Sequence, residues 1–349
     1  MEYDTLYHMK RIKRRNSLNM TVAILVVVIA ATVITLLVLR DKKRSASAAV
    51  IKNNRNVYVA GYVENKQNTS IATLWKNGRP IPLGDGVSAS KANSVFVSGG
   101  SWYVAGYEHF AEIGNIAMLW KDGVKMPLSP GSPFDFANSV FVSGEKVYVA
   151  GMAKGAATLW VNGEPKYLTT TTSEATSVFV SGEDVYVTGY EEDVQGATIA
   201  ILWKNGEPQR LSKGSKHDTA RSVYVSGNNV FVAGDIDSGG VATAALWKNG
   251  ARAMVSNEKV TSNAYSVFVS DGKVYVVGKE RGNARIAVDG VRDYISRDSS
   301  WANSVYVTGG DIYSVGARKG AATLWINKDP LALSDGNTKA EANSVFVAN

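Results

Sequence analysis

The residues that could do chemistry are few and far apart. Of three histidines, His8 lies in a basic N-terminal tail, while His109 sits in Tyr107-Glu108-His109-Phe110 and His217 in Lys216-His217-Asp218. An imidazole can ligate a metal or move a proton near neutral pH, but nothing in the spacing of these two brings a second ligand or an acid–base partner to either. There is no Cys, which excludes disulfides, thiol nucleophiles and thiolate-bound zinc. Asp235-Ile236-Asp237-Ser238-Gly239 alternates carboxylates as a calcium loop does, yet lacks the third ligand and the closing Glu, and reads as a turn. No Gly-rich phosphate loop, nucleophile elbow or His-Glu-x-x-His occurs. The sequence therefore assigns no catalytic set and implies no cofactor and no metal.

Charge narrows the partners. The chain of 349 residues carries a formal +7, but nine Lys and Arg fall in the first 44 residues against Glu2, Asp4 and Asp41. From Ser45 onward 29 bases face 28 acids. The bulk of the chain is thus almost neutral and lacks the basic surface that nucleic-acid binding needs.

Between the two basic clusters, Met20–Leu39 reads MTVAILVVVIAATVITLLVL, with only Thr21, Thr32 and Thr35 polar. At about 1.5 Å per residue, twenty residues span a hydrocarbon core of roughly 30 Å. Ala46-Ser47-Ala48 resembles a processing site, but Arg40-Asp41-Lys42-Lys43-Arg44 separates it from an apolar run longer than a signal peptide's. The expectation is an uncleaved membrane anchor at 20–39, preceded by a basic tail (1–19) and followed by a basic linker (40–55). Flanking charge is nearly balanced, so the orientation follows from the tail's lack of a fold and from the tolerance of translocation for long domains. This predicts a cytoplasmic N-terminus and an exported remainder, periplasmic or extracellular.

That remainder, 56–349, repeats itself. The pattern VYVAG, ATLWKNG, a Pro-containing segment and ANSVFVSG recurs to the end, with strand-ending glycines at 61, 106, 151, 189, 234, 278 and 316. A period of about 40–45 residues with four short β segments is that of a propeller blade. In the second unit strand A is expected at Ser94–Val97, B at Trp102–Ala105, C at Ala117–Trp120 and D at Val124–Leu128. Strands A and B are apolar on both faces, as sheets sandwiched between neighbours require. Asn77-Gly78, Asp122-Gly123, Asn162-Gly163, Asn205-Gly206, Asn249-Gly250 and Asp289-Gly290 predict type I′ hairpins between C and D, whereas Asn327-Lys328 departs from that pattern. Pro80, Pro82, Pro127, Pro165, Pro208 and Pro330 place D at the outer edge, where a missing N–H costs nothing. Since the repeat begins at strand B and ends at strand A, Ser344–Val347 must complete the first blade.

The region resembles the β-propeller repeat class, and its VYVAG…ATLWKNG…ANSVFVSG units are similar to repeats of uncharacterised bacterial envelope proteins. The resemblance covers 56–349 and lacks the signatures of WD40, kelch and sialidase repeats, so it implies a fold, an all-β seven-bladed β-propeller, and no activity.

Antiparallel alternation puts the A–B and C–D hairpins on one rim and the longer B–C and D–A loops, with His109 and His217, on the other. The residue before the Ser of strand A is Asn93, Asn138, Thr176, Arg221, Tyr265, Asn303 and Asn343 in turn. A repeated Asn reads as a backbone cap. Its replacement by a long cation and a phenol in adjacent repeats makes Arg221 and Tyr265 ligand-contact candidates. Phe136 and Trp301 share a position two residues earlier and could stack on a sugar or pack on a neighbouring blade. The tryptophans at 75, 120, 160, 203, 247 and 325 occupy one constant place and read as core. Repeat six has Ala287 there, in basic surroundings.

Three functions fit: a non-enzymatic binding or scaffolding propeller engaging a protein or glycan through the B–C/D–A rim, a glycan-active hydrolase or lyase at the channel mouth using Arg221, Tyr265 and His217, or a mechanical spacer. The first is the leading expectation.

Overall fold

The computed structural model describes residues 55–255 and 260–348; the expected anchor, tail and most of the linker lie outside them. Among the described residues no helix is long and apolar enough to cross a membrane. They form 28 strands in seven four-stranded antiparallel sheets, a seven-bladed β-propeller. In blade 2 the strands run A Ser90–Ser98, B Ser101–Phe110, C Gly114–Lys121 and D Val124–Pro127. Strands A to C are longer than their apolar cores because the ladder continues through polar residues on the loop side.

The ring closes as the repeat register requires. Ala340–Ala348 is strand A of blade 1 and pairs with strand B, Asn56–Glu64, aligning Ser344 with Ala60 and Phe346 with Tyr58. Arg55, the last linker residue, ties the start of this blade to blade 7 by donating to Thr308 O at 3.1 Å and Asp311 Oδ2 at 3.3 Å.

Strand D is the outer edge of every sheet, and its prolines stand there exposed. All seven C–D turns put both central residues at positive φ. Asn327-Lys328 adopts the same turn at +51° and +75°, although Lys there forgoes the freedom of Gly. The turn Asn or Asp also accepts the N–H of the second residue of strand B, as Asn77 Oδ1 does from Val57 at 2.8 Å, which is why both residue types serve.

The core lies between blades. One cluster joins Tyr148 and Ala150 of blade 3 to Val178, Val187 and Trp203 of blade 4. All six strand-C tryptophans are at most 1% exposed, and Trp75, Trp160 and Trp247 donate to the carbonyls of Leu333, Leu128 and Leu211 on the preceding blade at 2.8–3.0 Å.

Both faces of strand A carry apolar side chains, but they are not both sandwiched between blades. One face turns to the axis, where Phe96, Phe141, Phe179, Tyr224, Phe268, Tyr306 and Phe346 form a closed ring with centroids 4.7–5.2 Å apart. Beside it all seven strand-A serines accept the Val N–H of the next blade at 3.1–3.3 Å.

Candidate functional site

The residue before each strand-A serine is the extra residue of a β-bulge. In blade 2 Ala92 faces Gly106 and Ser94 faces Ala105, leaving Asn93 unpaired; the shift recurs in every sheet. The bulge presses strand A against strand B, so a Cβ on Gly151 would sit 1.9 Å from Phe136 O. The repeated glycine is therefore a mid-strand residue that the bulge demands, and does not end the strand.

A bulge re-aims its side chain. Asn93, Asn138, Asn303 and Asn343 donate to Ala137, Ala175, Ala342 and Ala92 O of the next blade at 2.9–3.1 Å, and Thr176 reaches Ala220 O at 2.6 Å. The capping role expected for the Asn residues holds, with the partner across the blade boundary instead of at the start of the same strand. Arg221 and Tyr265 make no such bond. Arg221 Nε donates to Asp235 Oδ2 at 2.5 Å, and its guanidinium lies 5.5 Å from the Tyr265 ring centre. Asp235 is 1% exposed, and its other oxygen accepts from Ala264 N at 3.0 Å. The Arg221 side chain remains 38% exposed and can be reached by a ligand.

Phe136 and Trp301 lie just outside the bulge. Phe136 meets Tyr107 edge to face at 5.1 Å. Trp301 has Lys279 Nζ 5.1 Å from its ring centre and donates its indole N–H to Glu341 Oε1 at 2.7 Å. Asn303 also donates to Glu341 Oε1 at 2.8 Å, and Tyr62 O–H to Oε2 at 3.3 Å. Lys91 lies 4.4 Å over Tyr62, and Asn138 reaches Glu174 Oε1 at 2.7 Å. These contacts bridge neighbouring blades around the channel mouth.

The mouth tyrosines are held in their protonated form. Burial first, then the Glu341 carboxylate, push the Tyr62 phenol well above the ordinary phenol range. Burial and Glu174 do the same for Tyr190. Burial raises Tyr107, and it raises Tyr265 against the opposing charge of Arg221.

The histidines stand apart from this ring. His109 is exposed, with Nδ1 2.9 Å from Asn115 Oδ1, and His217 is exposed, its backbone N–H donating to Ser215 Oγ at 3.3 Å. Neither is bonded to a mouth residue. Among the described residues no group of three His, Asp or Glu could hold a metal ion.

Of the six candidates, Arg221, Tyr265, Phe136 and Trp301 lie in this network and His109 and His217 do not, while Asp235, Glu174, Glu341, Tyr62, Lys91 and Lys279 complete it unforeseen. The signal was present at two repeat positions: the residue before the strand-A Ala (Lys91, Phe136, Glu174, Thr219, Asn263, Trp301, Glu341) and the residue after the strand-B Gly (Tyr62, Tyr107, Met152, Tyr190, Asp235, Lys279, Ala317). Both vary where their neighbours do not.

Among solved structures, the chain is similar to a puromycin-hydrolysing peptidase of Mycobacterium tuberculosis, with TM-score 0.52 and 11% identity over 82% of this chain and 51% of that one. It thus spans about half the length of that peptidase. It is also similar to the β-propeller domain of the Trilobed protease from Pyrococcus furiosus (TM-score 0.49, 15% identity, 80% of this chain and 95% of that one) and to TolB from Acinetobacter baumannii (TM-score 0.44, 12% identity, 82% and 79%). No family profile matches the chain, and no curated protein does. Likeness at such identities shows the fold alone.

Proposed function

We propose that the chain is a membrane-anchored, non-enzymatic binding propeller that engages a glycan at the channel mouth. The observation carrying this reading is the combination there of aromatic faces with fixed donors and acceptors: Trp301, Phe136 and Tyr265 beside Arg221, Glu341 and Glu174. Sugar rings present apolar faces for stacking and hydroxyls for paired hydrogen bonds, and pre-positioned side chains lower the ordering cost of binding.

A hydrolase or lyase needs an acid and a base open to one substrate pose. Glu341 already accepts from Trp301, Asn303 and Tyr62, Asp235 from Arg221 and Ala264 N, and Glu174 from Asn138. With both histidines elsewhere, this commitment supports binding over catalysis.

The test is calorimetric titration of the full-length protein, in detergent, with a panel of neutral and acidic oligosaccharides. Saturable binding weakened at least tenfold by Trp301→Ala is expected. Binding unmoved by Trp301→Ala and Phe136→Ala, or capture of a protein partner with no oligosaccharide bound, would contradict the glycan assignment.

Anchoring at Met20–Leu39 with the propeller exported is part of the same proposal. Because the chain has no Cys, single Ser17→Cys and Ser45→Cys variants report topology without background. A membrane-impermeant maleimide should label intact cells at 45 and not at 17; the reverse pattern would put the propeller inside.

A further inference from the structure

Six C strands bury an indole between blades; in the seventh, Asn283–Val288 of blade 6, Ala287 holds that place. The register is the same, since Ala287 faces Val276 as Trp247 faces Val232. The surroundings have not closed over the deletion. Ala287 and Val276 are half-buried, whereas the indoles are at most 1% exposed and Val232 is 1% exposed.

Two hollows meet here between blades 5 and 6. One, about 60 Å³, opens beside Lys279 and Glu280 at the mouth side; the other, about 400 Å³, opens beside Gly272 and Gly290 at the hairpin side. Leu246, Val276 and Ala287 line both. Ala253, the extra residue of a shift in strand D of blade 5, lines the larger one. For scale, an apolar cavity of roughly 150 Å³ accepts benzene.

The edge of this cleft is basic. Arg285 and Arg292 share the single carboxylate of Glu280 at 3.5 and 3.8 Å, and Lys279 adds a third cation. Arg285 is stacked 4.3 Å from the Tyr294 ring centre and only 15% exposed, so it is held in place, while Arg292 is 44% exposed and accessible. Walls shaped for an aromatic ring thus end at more positive charge than the local acid neutralises.

We propose that this cleft binds a planar aromatic carboxylate of indole size, its ring in the space left by Ala287 and its carboxylate against Arg292 and Arg285. Six indoles in equivalent places supply the shape argument, and guanidinium pairing with a carboxylate supplies the polar one. The site is separate from the glycan reading of the mouth.

Calorimetric titration of the full-length protein with indole-3-acetate, indole and acetate tests it. Indole-3-acetate should saturate with Kd below about 1 mM, indole should bind about tenfold more weakly, the cost of one charge-assisted contact, and acetate should not saturate. Ala287→Trp supplies the ring covalently and should raise Tm by about 4 °C while weakening indole-3-acetate at least tenfold. Arg292→Gln should erase the preference for the acid over indole. Absence of saturable binding to the wild-type protein overturns the proposal, as does undiminished binding to a folded Ala287→Trp protein. If that variant does not fold, Ala287→Leu replaces it, with at least a threefold loss expected and an unchanged Kd contradictory.

Discussion

Each A strand is divided by its bulge into two halves that behave in opposite ways. On the axial side, Ser, Val and an aromatic recur in all seven blades and make the same bonds: a seven-membered serine latch and a seven-membered aromatic ring. On the mouth side, two or three residues away, the corresponding positions hold Lys91, Phe136, Glu174, Thr219, Asn263, Trp301 and Glu341. The same backbone therefore carries a uniform half that builds the ring and a varied half that builds a surface. Uniformity is what stacking neighbours require, and release from it marks where the chain is free to recognise something.

The uniform half is the place to break the molecule. Removing Asn343–Asn349 deletes most of the strand paired with Asn56–Glu64, together with the Ser344 latch to Val95 and the Phe346 ring contact. A scanning-calorimetry trace without a cooperative transition is expected. Next in size is Gly151→Ala, whose Cβ would collide with Phe136 O. A loss of about 3 kcal/mol in denaturant unfolding, the upper end of over-packing costs, is expected.

These two effects also explain what was legible in the sequence. Strand order, the closing strand, the outer prolines, the C–D turns and the buried tryptophans all repeat, so seven copies of one pattern revealed them. The bulge did not, because one unpaired residue leaves hydrophobic alternation nearly intact; the glycine opposite it looked like a strand end. The mouth was half legible. Arg221 and Tyr265 stood out against four Asn, but Asp235 and Glu341 could be joined to their partners only by contacts across strands and blades.

Within the varied half, effects on stability should be smaller and separable from binding. Arg221→Ala strands the buried Asp235 carboxylate and should cost about 2 kcal/mol, below the 3–5 kcal/mol of a fully buried pair because the Arg side chain is partly solvated. The double variant Arg221→Asn/Asp235→Tyr gives blade 5 the residues that blade 2 carries at the same two positions, Asn93 and Tyr107, and chemical denaturation should find it close to wild type.

The smallest effect is alkaline. The Tyr62 and Tyr190 phenols have folded pKa values raised by burial and by Glu341 and Glu174. The folded state thus keeps protons that the unfolded chain loses near pH 10. Their contribution is complete below about pH 10 and drains away as pH rises toward the folded values. Melting temperatures recorded between pH 8 and 11.5 should fall above pH 10, and less steeply in Tyr62→Phe/Tyr190→Phe.

The measurement that bears most directly on the division between building half and recognising half is a paired reading, Tm and oligosaccharide Kd, on full-length Arg221→Asn/Asp235→Tyr/Trp301→Ala. The account predicts a Tm within about 3 °C of wild type, the shift expected for roughly 1 kcal/mol in a domain of this size, with at least a tenfold loss of affinity. Unchanged affinity at unchanged Tm would contradict it.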